Sequence, residues 1–210
     1  VKTIAFLHGW GFDASFWQPV AERLPDFAKV FIDFGFFGQP HRPRLDRPLV
    51  VGHSLGFAWA LANLERPWAG AIAVNGFPRF TRAPDFVAGT PPRLVERMLT
   101  RFATEPETVT TEFLGRCGVE SVDLDGIRPQ PLASALSWLG QCDERPRLAG
   151  LHCPLLALAG TRDPIVPEAM SRDGFPPESL TLVEGAGHLL PLTHPEWLAS
   201  RIRLFAAGLP

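Results

Sequence analysis

The chain of 210 residues contains no run of about 20 consecutive apolar residues, the length a helix needs to cross a bilayer, so no membrane span is expected. Cysteine is scarce and odd in number. Cys117, Cys142 and Cys153 form no CxxC pair, which argues against a disulfide framework and predicts a reduced, cytoplasmic protein. Lysine is nearly missing, with only Lys2 and Lys29, so arginine carries the basic charge; this reads as genome composition before chemistry. A formal net charge of −2 offers no electrostatic reason to expect nucleic acid or a membrane surface as partner. No basic, then apolar, then small-residue segment resembling a signal peptide opens the chain. It starts directly on a strand-like run, and a leader removed from a longer precursor is compatible with that. Glycine (19) and proline (22) together make about a fifth of the residues, below the roughly 25–30% at which low complexity is the better description.

What is present is a rhythm of short apolar runs and amphipathic stretches. Strands are expected at Thr3–Leu7, Val30–Phe34, Leu49–Val51, Ala71–Val74, Leu155–Ala159 and Leu180–Val183. Helical spacing occupies Phe16–Leu24, the alanine-rich stretch up to about Leu64, and Pro195 to about Phe205. Such alternation predicts an α/β fold: a mostly parallel sheet of about six strands with helices on both faces. Between Phe77 and about Ala149 no strand is expected, only helices near Pro92–Ala103, Glu107–Cys117 and Leu132–Leu139. Residues 1–76 and 150–210 therefore read as a core, and residues 77–149 as an inserted helical lid.

Gly52-His53-Ser54-Leu55-Gly56 fits G-x-S-x-G with an apolar strand before it and a helix after it. A serine on so tight a turn needs glycine on both flanks, and the turn lifts Oγ beside the N-terminus of the next helix. The Leu55 N–H can then serve an oxyanion. A second donor is expected from the loop after the first strand, His8-Gly9-Trp10-Gly11, with the Trp10 N–H as candidate. In the alternative reading this is an ordinary glycine turn that His8 braces.

A serine hydroxyl needs a base to take its proton and an anion to orient that base. Asp163 follows the strand Leu155–Ala159, and His188 follows Leu180–Val183, so both stand past the carboxyl ends of strands, where open α/β sheets gather their sites. The order Ser54, Asp163, His188 predicts nucleophile, orienting acid and general base. The other candidates fit less well. His194 precedes Pro195 at a helix start; His53 is fixed beside the serine and points away from it; His41 and His152 lie in loops or before a strand. Asp143 lies at the trailing end of the lid, and Asn75, at an alternative acid position, cannot carry the charge.

The segments LHGWG (Leu7–Gly11), DFGFFG (Asp33–Gly38), GHSLG (Gly52–Gly56), GTRDPIVP (Gly160–Pro167) and GAGHLLPLTHPE (Gly185–Glu196), with NGFPRF (Asn75–Phe80), resemble the pimeloyl–acyl carrier protein methyl ester esterases of biotin synthesis, within the α/β-hydrolase superfamily. The resemblance implies hydrolysis of a methyl ester on a dicarboxylyl chain carried by acyl carrier protein, with no metal and no organic cofactor. By position it implies acyl-chain contacts from Trp10, Ile165 and Phe113. The family places an extra pair of strands ahead of the strand with which this chain begins. It also has a helix where Gln39–Pro48 holds Pro40, Pro43 and Pro48, too many breakers for a regular helix. Phe36 or Phe37, together with Gln39–Pro48, is expected to cover the sheet there in place of that helix; the alternative cover is a second subunit, so monomer and dimer both stay open.

On the expected helix Pro92–Ala103, Arg93, Arg97 and Arg101 recur at i, i+4 and i+8, opposite Leu94, Val95, Met98, Leu99 and Phe102. The stripe fits a surface that steers an acidic carrier protein, and equally a solvated helix face, with Glu96 beside it weakening the electrostatic case. Serine esterase, another hydrolase on the same scaffold (small-ester esterase, thioesterase or carbon–carbon bond hydrolase), and a non-catalytic receptor are the functions compatible with these residues. The intact Ser–Asp–His set argues against the last.

Overall fold

The computed structural model describes residues 3–209; the outermost positions of the core bounds, residues 1, 2 and 210, lie outside the described residues. Six parallel strands form one sheet: β1 (Thr3–Leu7), β2 (Ala28–Ile32), β3 (Leu49–His53), β4 (Gly70–Val74), β5 (Leu155–Gly160) and β6 (Leu180–Val183), in the order β2-β1-β3-β4-β5-β6. The central strands β3 and β4 are buried at every residue, which is why Leu49–Gly52 and Gly70–Val74 read as unbroken apolar runs rather than alternating ones, with His53 the buried polar exception at the end of β3. Each fully buried Val, Ile or Leu there contributes about 1.5–3 kcal/mol.

Side-chain alternation assigns the helices to two faces. Gly52 pairs with Ala73, and an added Cβ at Gly52 would meet Phe57 of α2 (Leu55–Asn63). Leu49 pairs with Gly70 on the opposite face, where a Cβ at Gly70 would meet Phe205 of α9 (Pro195–Ala207) and Leu209. The turn Ala14–Trp17, the short α1 (Gln18–Ala21) and α8 (Leu190–Thr193) pack with α9 on this second face.

Between β4 and β5 the chain forms α3 (Pro92–Phe102), α4 (Pro106–Cys117), α5 (Pro129–Leu139) and α6 (Arg145–Ala149), with only isolated bridges besides. The two ends of this stretch meet: Arg79 bridges Asp143 through both backbone and side chain, and the Glu144 N–H donates to the Pro78 carbonyl at 2.8 Å. α7 (Glu168–Gly174) follows β5.

Three local expectations need correction. The strand expected at Val30–Phe34 is Ala28–Ile32, because Asp33 turns the chain off the sheet: its carboxylate accepts from the Gly35 and Ala14 N–H groups. The helix expected over Phe16–Leu24 is only the Ala14–Trp17 turn plus one turn of α1, since Pro19 can open a helix but Pro25 stops the chain soon after. Gln39–Pro48 holds no regular helix, as expected, and it covers the sheet only in part: Leu45 packs against the core and Pro48 is buried. An Asp33–His41 bridge folds it into a loop, and residues 38–42 with Arg44, Asp46 and Arg47 stay in solvent, where the charges of Arg42, Arg44, Asp46 and Arg47 are hydrated. Phe36 is buried against His8 and Phe34 instead, Phe37 is half-buried, and Arg42 lies over the rings of Trp59 and Phe34.

Candidate active site

The β3–α2 turn holds Ser54 at φ +53°, ψ −126°, a region that residues with a Cβ avoid at a cost of about 1–3 kcal/mol. Its neighbours show why the turn persists. A Cβ at Gly52 would come within 2.6 Å of the Phe57 backbone, and one at Gly56 within 2.5 Å of the His8 carbonyl oxygen. Both glycines therefore let α2 lie close over the ends of β1 and β3. The Ser54 N–H donates to the Val74 carbonyl at 3.1 Å, which anchors the turn to β4.

The structure brings Asp163 and His188 together. The loops after β5 and β6 are stitched by Arg162 N–H to Ala186 carbonyl (2.9 Å) and Thr161 N–H to Val183 carbonyl (3.1 Å). His188 Nδ1 lies 2.7 Å from Asp163 Oδ2 with both side chains buried, and since a carboxylate only accepts, Nδ1 carries the proton and Nε2 is left free of Asp163. Asp163 Oδ1 accepts from the Ile165 and Val166 N–H groups at 2.7 and 2.9 Å. Oδ2 also accepts from the Asn75 amide at 2.8 Å. Asn75 stands at φ +45°, a conformation Asn tolerates better than most residues, and its amide also reaches the Gly187 carbonyl at 3.3 Å. Sequence reasoning set Asn75 aside as an acid and missed this supporting position.

The loop after β1 abuts the serine: a Cβ at Gly9 would lie 3.1 Å from the Ser54 Cβ. His8 is fully buried and does brace this loop. Its Nδ1 faces the Gly9 carbonyl at 2.9 Å, which only accepts, so Nε2 is the bare nitrogen that accepts from the Phe34 N–H at 3.2 Å. Tying the Gly9 carbonyl to one side turns the N–H of the same peptide unit, that of Trp10, to the other. Among the described residues neither the Trp10 nor the Leu55 N–H donates to a protein acceptor.

Above Ser54 lies a cavity of about 260 Å³ whose lining includes Trp10, Leu55, Phe113 and Ile165, so every residue named for substrate contact reaches it. Phe77, Phe80, Leu136 and Leu139 add apolar walls that sequence reasoning did not single out. Arg116, also missed, is a cation in this lining. A second cleft between α3 and α4 shares Leu94, Met98, Phe113 and Arg116 with the cavity and adds Arg97 and Arg101. The arginine stripe is not uniform. Arg101 is committed to Glu112 and Glu105, whereas Arg93 and Arg97 stand exposed. Leu94, expected on the packed side, is 46% exposed because it sits at the cavity rim. Asp143, the rival acid, is taken by Arg79 and Arg145. The described residues hold no group of three or more His, Cys, Asp or Glu side chains placed for a metal ion, and no helix long and apolar enough to cross a membrane.

A parallel sheet with a serine on the strand-to-helix turn after β3 and an aspartate–histidine pair on the loops after β5 and β6 defines an α/β-hydrolase architecture. The chain belongs to the alpha/beta hydrolase family, whose model matches residues 42–201. A biotin biosynthesis bifunctional protein BioHC from Cellvibrio japonicus is 27% identical over 96% of this chain, which spans 47% of that relative's length. Among solved structures, a thermophilic esterase from Thermogutta terrifontis superposes with a TM-score of 0.76 at 22% identity, over 99% of this chain and 90% of that one. The enol-lactonase of Burkholderia xenovorans LB400 gives 0.79 at 16%, over 99% and 92%. These two likenesses establish the shared fold.

Proposed function

We propose that this protein is a serine carboxylesterase working through an acyl-enzyme, with Ser54, His188 and Asp163 as its triad. The observations that carry the reading are the buried His188–Asp163 hydrogen bond and, on the β3–α2 turn, a serine held at positive φ that lines an apolar cavity. In this reading Ser54 Oγ attacks the ester carbonyl carbon while His188 Nε2 takes its proton. The carbonyl oxygen becomes an oxyanion received by the Trp10 and Leu55 N–H groups. Collapse expels the alcohol, which leaves with the proton from His188, and water repeats the sequence on the acyl-enzyme to release the acid.

The substrate we favour is the methyl ester of a pimeloyl chain on acyl carrier protein. The apolar lining suits a polymethylene chain, the motifs resemble the esterases of biotin synthesis, and the BioHC relative is named for that synthesis. Residues 77–149 then serve as the lid over the chain, and Arg93 and Arg97, with Arg101 tied down, are the candidates for meeting the acidic carrier. The second reading is another hydrolase on this scaffold, favoured by the enol-lactonase among the structural likenesses. A serine-directed phosphonate should label wild-type protein once and Ser54→Ala not at all; labelling of Ser54→Ala would sink the triad. Rescue of a biotin auxotroph lacking its own esterase would support the carrier-bound substrate. Esterase activity without rescue would favour the second reading.

A further inference from the structure

His53 is the residue between strand and nucleophile that the proposed reaction leaves without a task. It belongs to the face of β3 opposite Gly52, so it points away from α2 and under the turn Ala14–Trp17, fully buried. Three separate loops close on it. The His188 carbonyl lies 2.9 Å from its Nε2. Gly9 lies so near that a Cβ there would be 2.8 Å from its Nδ1. Phe16, at 4.5 Å between ring centroids, and the edges of Phe12 and Trp17 wall the remaining sides, while the His188 ring stands 4.7 Å away.

We propose that His53 is the positioning residue for the base: its Nε2–H, donated to the His188 carbonyl, fixes the loop that presents the His188 imidazole to Ser54. This rests on the triad reading above. The tautomer follows from the partner, because a backbone carbonyl only accepts. The neutral ring then carries a bare Nδ1, which is buried with no hydrogen-bond partner among the described residues. Were that nitrogen to take a second proton, the new N–H would find no acceptor among the described residues. The ionisable groups facing His53 are His188 from the loop after β6, with Asp163 behind it, and His8 from the end of β1; the Ala14–Trp17 turn presents only rings. Burial first, and the neighbouring His188 second, hold the His53 pKa well below the ordinary histidine value. His53 thus stays neutral while His188 becomes charged in each turnover, and the carbonyl bond persists through the cycle.

Misplacing a catalytic group by about 1 Å can cost on the order of 10²-fold in rate. The test compares His53→Phe, which keeps a ring but has no donor, with His53→Gln, whose amide N–H reaches about as far as Nε2, and with His53→Asn, whose amide stops short. On a soluble p-nitrophenyl ester, kcat should fall about 10- to 100-fold in the Phe and Asn variants with KM within about twofold, and Gln should restore most of it. The low-field proton NMR signal of the His188–Asp163 bond should broaden or vanish in the Phe and Asn variants and return with Gln. Wild-type kcat in the Phe variant, or equal losses in Gln and Phe with the low-field signal intact, would overturn the proposal. If Phe proves too unstable to assay, the ranking of Gln above Asn decides in the same way. Ser54→Ala, run alongside, separates the outcomes: its loss of activity with indifferent His53 variants removes only this inference, whereas its retention of activity removes the triad reading.

Discussion

Neutralising Asp163 tests the site most sharply, because the structure shows what an amide there cannot do. The carboxylate accepts four hydrogen bonds: Ile165 and Val166 N–H on Oδ1, Asn75 and His188 on Oδ2. Asparagine offers one acceptor oxygen. The two backbone donors are fixed, so the oxygen should turn to them and leave the NH₂ facing the Asn75 amide and His188 Nδ1. Asn75 then loses its shorter hydrogen bond and keeps only the Gly187 carbonyl, a loss of about 1–3 kcal/mol in a buried site. His188 can accept from the new NH₂ only by moving its proton to Nε2, the nitrogen that in the proposed reaction receives the Ser54 proton. The expected loss in kcat for Asp163→Asn is about 10⁴, equivalent to about 5.4 kcal/mol of barrier. Ordinary domains have about 5–15 kcal/mol of stability, so the variant should remain folded at 25 °C and the rate loss is not an unfolding artefact. Urea titration gives the first quantity, and p-nitrophenyl ester turnover, normalised to sites titrated by phosphonate, gives the second. A kcat within tenfold of wild type would refute the assignment of Asp163 as the orienting acid.

Two further outcomes follow from the charged groups. The hydrogen bond from Arg145, opposed by partial burial and aided by Arg79, holds the Asp143 carboxyl at about 2. A depressed folded-state pKa stabilises above the unfolded value and is lost as pH falls through the folded one, so the contribution should be full above about pH 4 and fade toward pH 2. Asp143→Asn should therefore lower stability by about 1–2 kcal/mol at pH 7, with the gap narrowing at pH 2.5 in urea melts; a gap independent of pH would contradict this. Reversing Arg93 and Arg97 to glutamate should slow cleavage of a carrier-bound ester several-fold at low salt, leave a soluble ester within about twofold, and lose its effect at high salt. Equal effects on both esters would point to damage within α3 rather than to docking.

The parts of this molecule legible in its sequence are those that local chemistry decides. β3 and β4 announce themselves because strands buried on both faces are apolar along nearly their whole length, and Ser54 because only glycines can flank so tight a turn. Asp163 and His188 could be picked out by their places after strand ends, without knowing that the two loops touch. What sequence reading missed depends on contacts between distant segments. Asn75 matters through a loop 88 residues away, and His53 through one 135 residues away. Nothing in the run around Arg116 distinguishes it from the other lid arginines until α3 and α4 are folded against the cavity. The frame of β2 went wrong for a similar reason: Phe34 is as apolar as its neighbours, but the Asp33 side chain bonds the chain off the sheet.

Trp10 joins two parts of the protein that a chimera-builder would treat as separable. Its backbone belongs to the loop beside Ser54, while its indole N–H donates to the Leu132 carbonyl of α5 at 2.9 Å and its ring is pinned by the edges or faces of Phe102 and Phe113. Exchanging residues 77–149 for the corresponding stretch of a relative would remove all three partners at once. The indole would keep a buried, unsatisfied donor worth about 1–3 kcal/mol, and would relax by tilting the peptide that precedes it. A transplanted cap can thus spoil the neighbourhood of the serine without touching a residue of the core, so Trp10 has to travel with the segment it is bonded to.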